Sequence, residues 1–579
     1  MPSERVPIQT AGRPKTHPPG LPADFIWIAV AWLALVVLID PRGDFPTNDD
    51  WAFQAAVQQL YEHGVYRPPG WSAMSLVTNI AWGALFCIPA GCSTLALRMS
   101  GVVAGLIALW AVYALGRHLG ARRSYALLGT ANLAVCPLFL PLSLSFHTDV
   151  PFVALLLLAT LAGSHCLQSG SRNALWALAG LSLAATLSRQ LGLAVPLAVA
   201  ICAQLQRGTV WRARVAAVLP LVVSAGALLG LQTWLVATHS MPALYQQTQG
   251  RLWAALAQPL TAIRSVAFGT LECAMVIGLM LIPTLLAVIA APRSRPATWR
   301  ANPQLWTLLA TLGFSLLVWR FWSFYGRLPA IPMGENYLSR WGIGLIPLRG
   351  MYEFDYPQNH ALPPAFWQAV QWAAFAAALL MTWVMTSPKR APADTQTVAP
   401  LNFRARLLPL AVVALYTIPL MLTQWFDRYL LPAVALAIAV AVTRGGAIGP
   451  ATSTGLVERW LKLPAAAASL AAITFYTSAG TVDMLHWHGL RWQLTDHAMS
   501  VYGATPETMD GGFEFNGVHL YDPHYVRTPD KSWYWVKDDQ FAVSMIRFDG
   551  WAELKRLEYR SLLTQRTIPI ILQRRPDAR

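Results

Sequence analysis

Charge is what this chain has least of: aspartate, glutamate, lysine and arginine make up 12% of its 579 residues, about half the share of an average soluble domain. That excludes an ordinary water-soluble globule. With 55% hydrophobic residues and a mean hydropathy of +0.42, the chain reads as a polytopic membrane protein. Cysteine is scarce as well, and the six present show no metal-ligand spacing. Cys136, Cys166, Cys202 and Cys273 fall in apolar runs, where a buried free thiol is expected. Only Cys87 and Cys92 fall in an external segment that admits a disulfide. No small-x-small cleavage site separates the first apolar run from Asp44, so that run is expected to remain as an uncleaved span. Charges inside the apolar runs are nearly absent, Glu272 being the closest exception, and no internal repeat is present. Both absences speak against a transporter or flippase of a lipid-linked sugar, which places ionisable residues mid-span or breaks helices in matched halves. A non-catalytic envelope assembly protein is the other alternative, and it has no need of acids and arginines gathered on separate external turns.

What is present is apolar length. A bilayer-crossing helix needs about 20 apolar residues, and residues 24–480 hold about thirteen candidate spans on that criterion. The formal net charge of +15 does not imply a nucleic-acid partner, because the basic residues fall in short clusters between apolar runs and form no patch. Arg117, Arg122 and Arg123, then Arg172, then Arg207, Arg212 and Arg214 alternate with loops poor in Lys and Arg, such as SLSFHTDV. Arg293, Arg295, Arg300, Lys389, Arg390, Arg404, Arg406, Arg444, Arg459 and Lys462 continue the alternation on the side of Arg5, Arg13 and Lys15. The positive-inside rule then puts the N-terminal tail 1–23 in the cytoplasm and the C-terminus outside. Two long loops, 41–94 and 323–364, and a tail of 481–579 fall on the external face. The tail mixes aromatic and β-branched runs with Gly, Asp and Pro turns, so a small α/β or mostly β domain is expected there.

The polar groups of interest lie in these external segments. In PTNDDWAF, Asn48, Asp49 and Asp50 precede an amphipathic stretch in which Phe53, Ala56, Val57, Leu60 and Tyr61 recur at helical spacing, the pattern of a helix lying on the outer interface. Asp49 and Asp50 can cap that helix, or one of them can take a proton from an acceptor hydroxyl or amine. His147 and Asp149 sit in the next external loop, with Pro151 opening the following span. Asp49, His147 and Asp149 would offer O and N ligands to a divalent ion such as Mg²⁺ or Mn²⁺ if the two loops meet, though no spacing specifies such a site, and no other cofactor is indicated. Arg189 and Arg428 stand at external span ends. A snorkelling arginine is the ordinary account; the planar guanidinium also suits a lipid phosphate. Tyr429 follows Arg428, and Tyr337 and Arg340 lie with Tyr325, Arg327, Glu335 and Asn336 in a loop composed like a lid.

These motifs, NDDW, TDVPF, SRQLGL and DRYLLP, resemble those of the GT-C glycosyltransferases, especially the bacterial relatives of protein O-mannosyltransferases and of the lipid A aminoarabinose transferases (glycosyltransferase family 39/83-like). The resemblance covers most of the first 440 residues. It implies an all-α membrane fold of about thirteen spans with interfacial helices in the first external loop. It implies transfer of a sugar from a polyprenyl phosphate at the outer face of a bacterial inner membrane to a glycan, lipid or protein acceptor. By motif, Asp49 matches the family's first-loop aspartate, Asp149 the second-loop acid, and Arg428 the arginine before tyrosine. The family often has Asp-Glu where this chain has Asp49-Asp50, which leaves the base open between the two. The resemblance assigns no role to His147.

Overall fold

Hydrocarbon offers no partner to backbone N–H and C=O groups, so apolar runs of this length satisfy them internally as helices. In a computed structural model of the protein, the structure describes residues 23–205, 211–289, 303–333, 336–349, 361–386, 403–445, 463–528 and 531–576. The expected cytoplasmic tail (Ala23 aside), Glu335, residues 350–360 of the lid-like loop, and the basic residues Arg207, Arg293, Arg295, Arg300, Lys389, Arg390, Arg459 and Lys462 lie outside them. Among the described residues eight helices are long and apolar enough to cross a membrane, from Thr94–His118 to Pro464–Tyr502. Ala23–Ile39, Val77–Cys87 and Gln190–Gln204 are apolar but shorter. The expected spans 124–142 and 428–443 are broken or begin irregularly. The stretch 124–142 is a helix Arg123–Ala134, a turn and a short helix Phe139–Ser143, and Asp427–Leu430 forms a 3₁₀ turn before the helix Leu431–Ala441.

The helices carry the polar loops to one end of the bundle. Thr94–His118 starts beside the first loop, where the Thr94 hydroxyl donates to Asp44 at 2.8 Å, and ends at Arg117. Asp149–Ser169 runs away from the second loop toward Arg172, and Arg172–Ser188 returns to Arg189. Arg117, Arg122, Arg123 and Arg172 therefore stand at the end opposite to Asp49, His147, Arg189 and Arg428.

In the first loop the amphipathic stretch is a helix, Asp50–His63, with Trp51, Phe53, Ala56 and Val57 buried. Its apolar face is covered by protein: Trp51 packs on Phe513 and Trp535 from the C-terminal tail, while Tyr61, at the far edge of the stripe, is 43% exposed. Cys87 and Cys92 are joined in a disulfide that closes the turn after Val77–Cys87, in the one segment that admits it, and the other four cysteines are free as expected. The boundary drawn at 480/481 falls inside one continuous helix, Leu463–Tyr502, which carries the chain from the bundle into the tail. There a four-stranded sheet forms in the order Met509–Asp510, Phe541–Ser544, Thr567–Arg574, Ala552–Arg560. The first pair is parallel and the others antiparallel, with a bulge between Glu553 and Lys555. Leu494, Phe515, Val543, Ile570 and Leu572 form its core against the long helix.

Candidate functional site

A cavity of about 260 Å³ opens at the polar end of the bundle, between the first loop, the segment after Ile331, the Asp427–Leu430 turn and the tail. Its first wall is the sequence TNDD. Asn48 adopts a left-handed backbone, φ 51°, a conformation that asparagine tolerates better than most residues. This turn separates the two acids. Asp50 is fully buried and bends back on Thr47, taking its N–H at 2.6 Å and its hydroxyl at 3.1 Å. Burial pushes the Asp50 carboxyl up to about 7, against the lowering influence of Arg98 and the Thr47 bonds. Asp49 caps nothing with its side chain. It faces the cavity, where one oxygen accepts the indole N–H of Trp71 at 2.8 Å and the other pairs with Arg428.

Arg428 is 2% exposed. One terminal nitrogen holds Asp49, while its Nε and Nη1 have no hydrogen-bond partner among the described residues. Buried guanidinium N–H groups are costly to leave unmade, so this arginine presents open donors at a cavity wall. It is placed by its neighbour Asp427, which reading the sequence did not single out. That buried carboxylate accepts the N–H groups of Tyr337, Leu338 and Arg428. Burial raises Asp427 to about 6 in spite of those bonds. Asp427 thereby fixes the segment 336–349 over the site. Tyr337 and Tyr429 line the cavity as expected.

Other expected residues stand elsewhere. Arg189 does not line the cavity; its Nε donates to the Thr148 hydroxyl at 2.8 Å and its Nη2 lies 2.8 Å from Asp149, both groups buried. Its charge is taken up by Asp149, so the two form a pair behind the site. Arg340 is exposed and rests over Trp341, outside the cavity. His147 is buried, its Nδ1 2.8 Å from the Ser145 hydroxyl and 3.4 Å from the Tyr337 hydroxyl. Burial, with Arg428 and Arg189 nearby, holds it well below the ordinary imidazole range, hence neutral. The conditional metal trio of Asp49, His147 and Asp149 is not assembled: no group of three His, Cys, Asp or Glu residues suited to a metal occurs among the described residues. Asp49 has Arg428 and Asp149 has Arg189 as counter-charges instead.

A further wall comes from the tail and adjoins the first at Asn48. Glu514, 1% exposed, lines the cavity and accepts the Asn48 N–H at 2.9 Å and Arg491 Nη1 at 2.7 Å. Arg491 also lies 3.0 Å from Nδ1 of His488. Arginine can only donate, so that nitrogen is the acceptor and the proton of a neutral His488 sits on Nε2. The motif GGFEFNG held a signal for this placement. Gly512 has φ 87°, and a Cβ there would come within 2.7 Å of Leu348; the close approach lets Phe513 N–H bond to the Pro347 carbonyl at 3.0 Å and seats Glu514 beside Asn48.

Residues 80–237 match the family described as dolichyl-phosphate-mannose-protein mannosyltransferase. That segment holds the TDVPF and SRQLGL loops, with Asp149 and Arg189, and stops short of both Asp49 and Arg428. The match agrees with the resemblance carried by those motifs. Two solved structures are also similar. One is ArnT from Cupriavidus metallidurans bound to undecaprenyl phosphate, 11% identical, with 94% of this chain and 97% of that one covered at a TM-score of 0.45. The other is ArnT from the same organism in the apo state, 12% identical, with 85% and 84% covered at a TM-score of 0.41. No curated protein matches the chain.

Proposed function

We propose that this chain is a multi-pass membrane glycosyltransferase that takes a sugar from a polyprenyl phosphate at the outer, periplasmic face and passes it to an acceptor hydroxyl or amine. The observation that carries this is the pairing at the cavity wall of Asp49 with Arg428, whose two remaining buried nitrogens have no partner. Those donors suit a phosphate, for which arginine offers paired, charge-assisted hydrogen bonds. The family match over 80–237 supports the reaction class, and the arginines gathered at the opposite end of the bundle support an external site.

In this mechanism Asp49 is the base. It pairs with Arg428, it faces the cavity, and Trp71 fixes its orientation. Asp50 is enclosed, bonded to Thr47 and raised toward neutrality, so its role is to hold the turn that aims Asp49. Asp49 accepts the acceptor's proton as the acceptor oxygen or nitrogen attacks the anomeric carbon. The bond from that carbon to the phosphate oxygen breaks, the electron pair leaves with the polyprenyl phosphate, and Arg428 stabilises the added charge. A single displacement of this kind inverts the anomeric configuration, since no enzyme nucleophile intervenes. No resident cation is assigned, because Arg428 already supplies the counter-charge for both Asp49 and the phosphate; transfer lost in EDTA and restored by Mg²⁺ or Mn²⁺ would overturn that assignment. The test is to incubate purified protein with a panel of polyprenyl phosphate sugars and read which is consumed. Asp49→Asn should abolish consumption with insertion intact, and full activity in Asp49→Asn would sink the mechanism.

A further inference from the structure

Much of the cavity lining comes from tail residues that the mechanism above does not use, with Trp71, which holds Asp49, beside them. Trp71, Phe513 and Tyr534 stand there together, with ring centroids 5.5 Å apart for Trp71 and Phe513 and 5.3 Å for Phe513 and Tyr534. Among them is the carboxylate of Glu514, held rigidly by Arg491 and by the backbone of Asn48. The side chains of Asn48 and Asn336 join the wall, 3.3 Å apart. Apolar ring faces beside carboxylate and amide groups match a pyranose, which has C–H faces and an equator of hydroxyls. At about 260 Å³ the cavity falls below the roughly 300–1,000 Å³ of pockets for drug-sized ligands, a size for one monosaccharide.

We propose that the C-terminal tail forms the sugar subsite of the donor, and that Glu514 selects a neutral, hydroxylated sugar over one that carries a carboxylate. This rests on the donor assigned under the proposed function. Each Glu514 oxygen accepts one protein N–H and keeps a further lone pair, so a sugar hydroxyl can donate to it. A sugar carboxylate can only accept, as Glu514 and Asp49 do, and no hydrogen bond can form between them. Once a phosphate engages Arg428, two carboxylates face the sugar, and a third would be repelled.

The experiment measures binding of three lipids to the full-length protein in detergent: a bare polyprenyl phosphate, the same lipid carrying glucose, and the same lipid carrying glucuronic acid, which differs from glucose only at C6. The wild type is expected to bind the glucosyl lipid at least tenfold more tightly than the glucuronyl lipid. Glu514→Gln should leave the bare lipid within about twofold while weakening the glucosyl lipid about tenfold, as for one charge-assisted hydrogen bond, and should narrow the preference against glucuronate. Equal wild-type affinity for the two sugars overturns the proposal without any variant. So does a Glu514→Gln protein that loses the bare and glucosyl lipids in equal measure, since Glu514 would then merely prop Asn48. Failure of the donor assignment itself looks different, because the bare polyprenyl phosphate would then not bind at all.

Discussion

Replacing Arg428 by alanine is the sharpest test of the site, because one side chain serves two groups. Its Nη2 pairs with Asp49, and its Nε and Nη1 are left for the phosphate. At 2% exposure solvent does little to screen it. A hydrogen bond to a charged group contributes about 1.5–3 kcal/mol, which converts to a loss of about 10–150-fold in affinity for a polyprenyl phosphate. The same substitution also strips Asp49 of its counter-charge, and an unpaired carboxylate would repel the phosphate on its own account. The double variant Arg428→Ala/Asp49→Asn separates the two causes. If the guanidinium binds phosphate directly, the double variant stays as weak as Arg428→Ala; if repulsion by Asp49 is responsible, the neutral amide restores affinity. Titration of the purified proteins with a fluorescent short-chain polyprenyl phosphate gives the constants. An Arg428→Ala protein within twofold of wild type, or full recovery in the double variant, would refute the assignment of Arg428 to phosphate.

Arg189→Ala should behave differently. It leaves Asp149 buried and unpaired, a loss of about 3–5 kcal/mol in stability visible as a lowered melting temperature in detergent, while donor affinity in the protein that remains folded changes less than for Arg428→Ala. Asp427→Ala removes the acceptor of three buried N–H groups; each orphaned donor costs about 1–3 kcal/mol, so limited proteolysis should cut first within the loop that Asp427 holds. For Asp50 the sign follows from its raised value. The folded state keeps a proton there up to about pH 7, while the unfolded chain releases it near its ordinary value, so the stability this group contributes is present in acid and is lost as pH rises toward 7. Melting temperatures measured from pH 4 to 7 should fall less in Asp50→Asn than in wild type, and equal slopes would contradict the burial of Asp50 as a titrating acid.

How much of the site could be read along the chain depends on the kind of contact each residue makes. Asp49 stands out as half of an acidic pair in an external loop, Arg428 and Tyr429 at the edge of an apolar run, and Tyr337 in a loop composed like a lid. They line the cavity. Arg189, at another span end, and Arg340, in the same loop as Tyr337, do not, for such local marks say nothing about partners: Asp149 claims Arg189, and Arg340 turns to solvent beside Trp341. Trp71 and His488 bear no such mark, and Glu514 is flagged only by the glycine pair before it. Their significance arises only when the tail folds back on the first loop.

The sequence by itself determined the apolar helices, the gathering of acids and arginines in the loops that join them, and the presence of strands in the tail. Hydropathy and charge spacing are properties of short stretches, and backbone hydrogen bonding in hydrocarbon turns them directly into structure. The tertiary structure decided which acid faces the cavity and what surrounds it. Asp49 meets Arg428 across 379 positions of chain, and Asn48 meets Glu514 across 466. Contacts of that span are set by how the loops and tail pack together, and no local pattern encodes them. Asp49 and Asp50 are adjacent and chemically alike, yet the left-handed turn at Asn48 and the covering tail make one a wall of the cavity paired with Arg428 and the other an enclosed brace whose carboxyl burial pushes up.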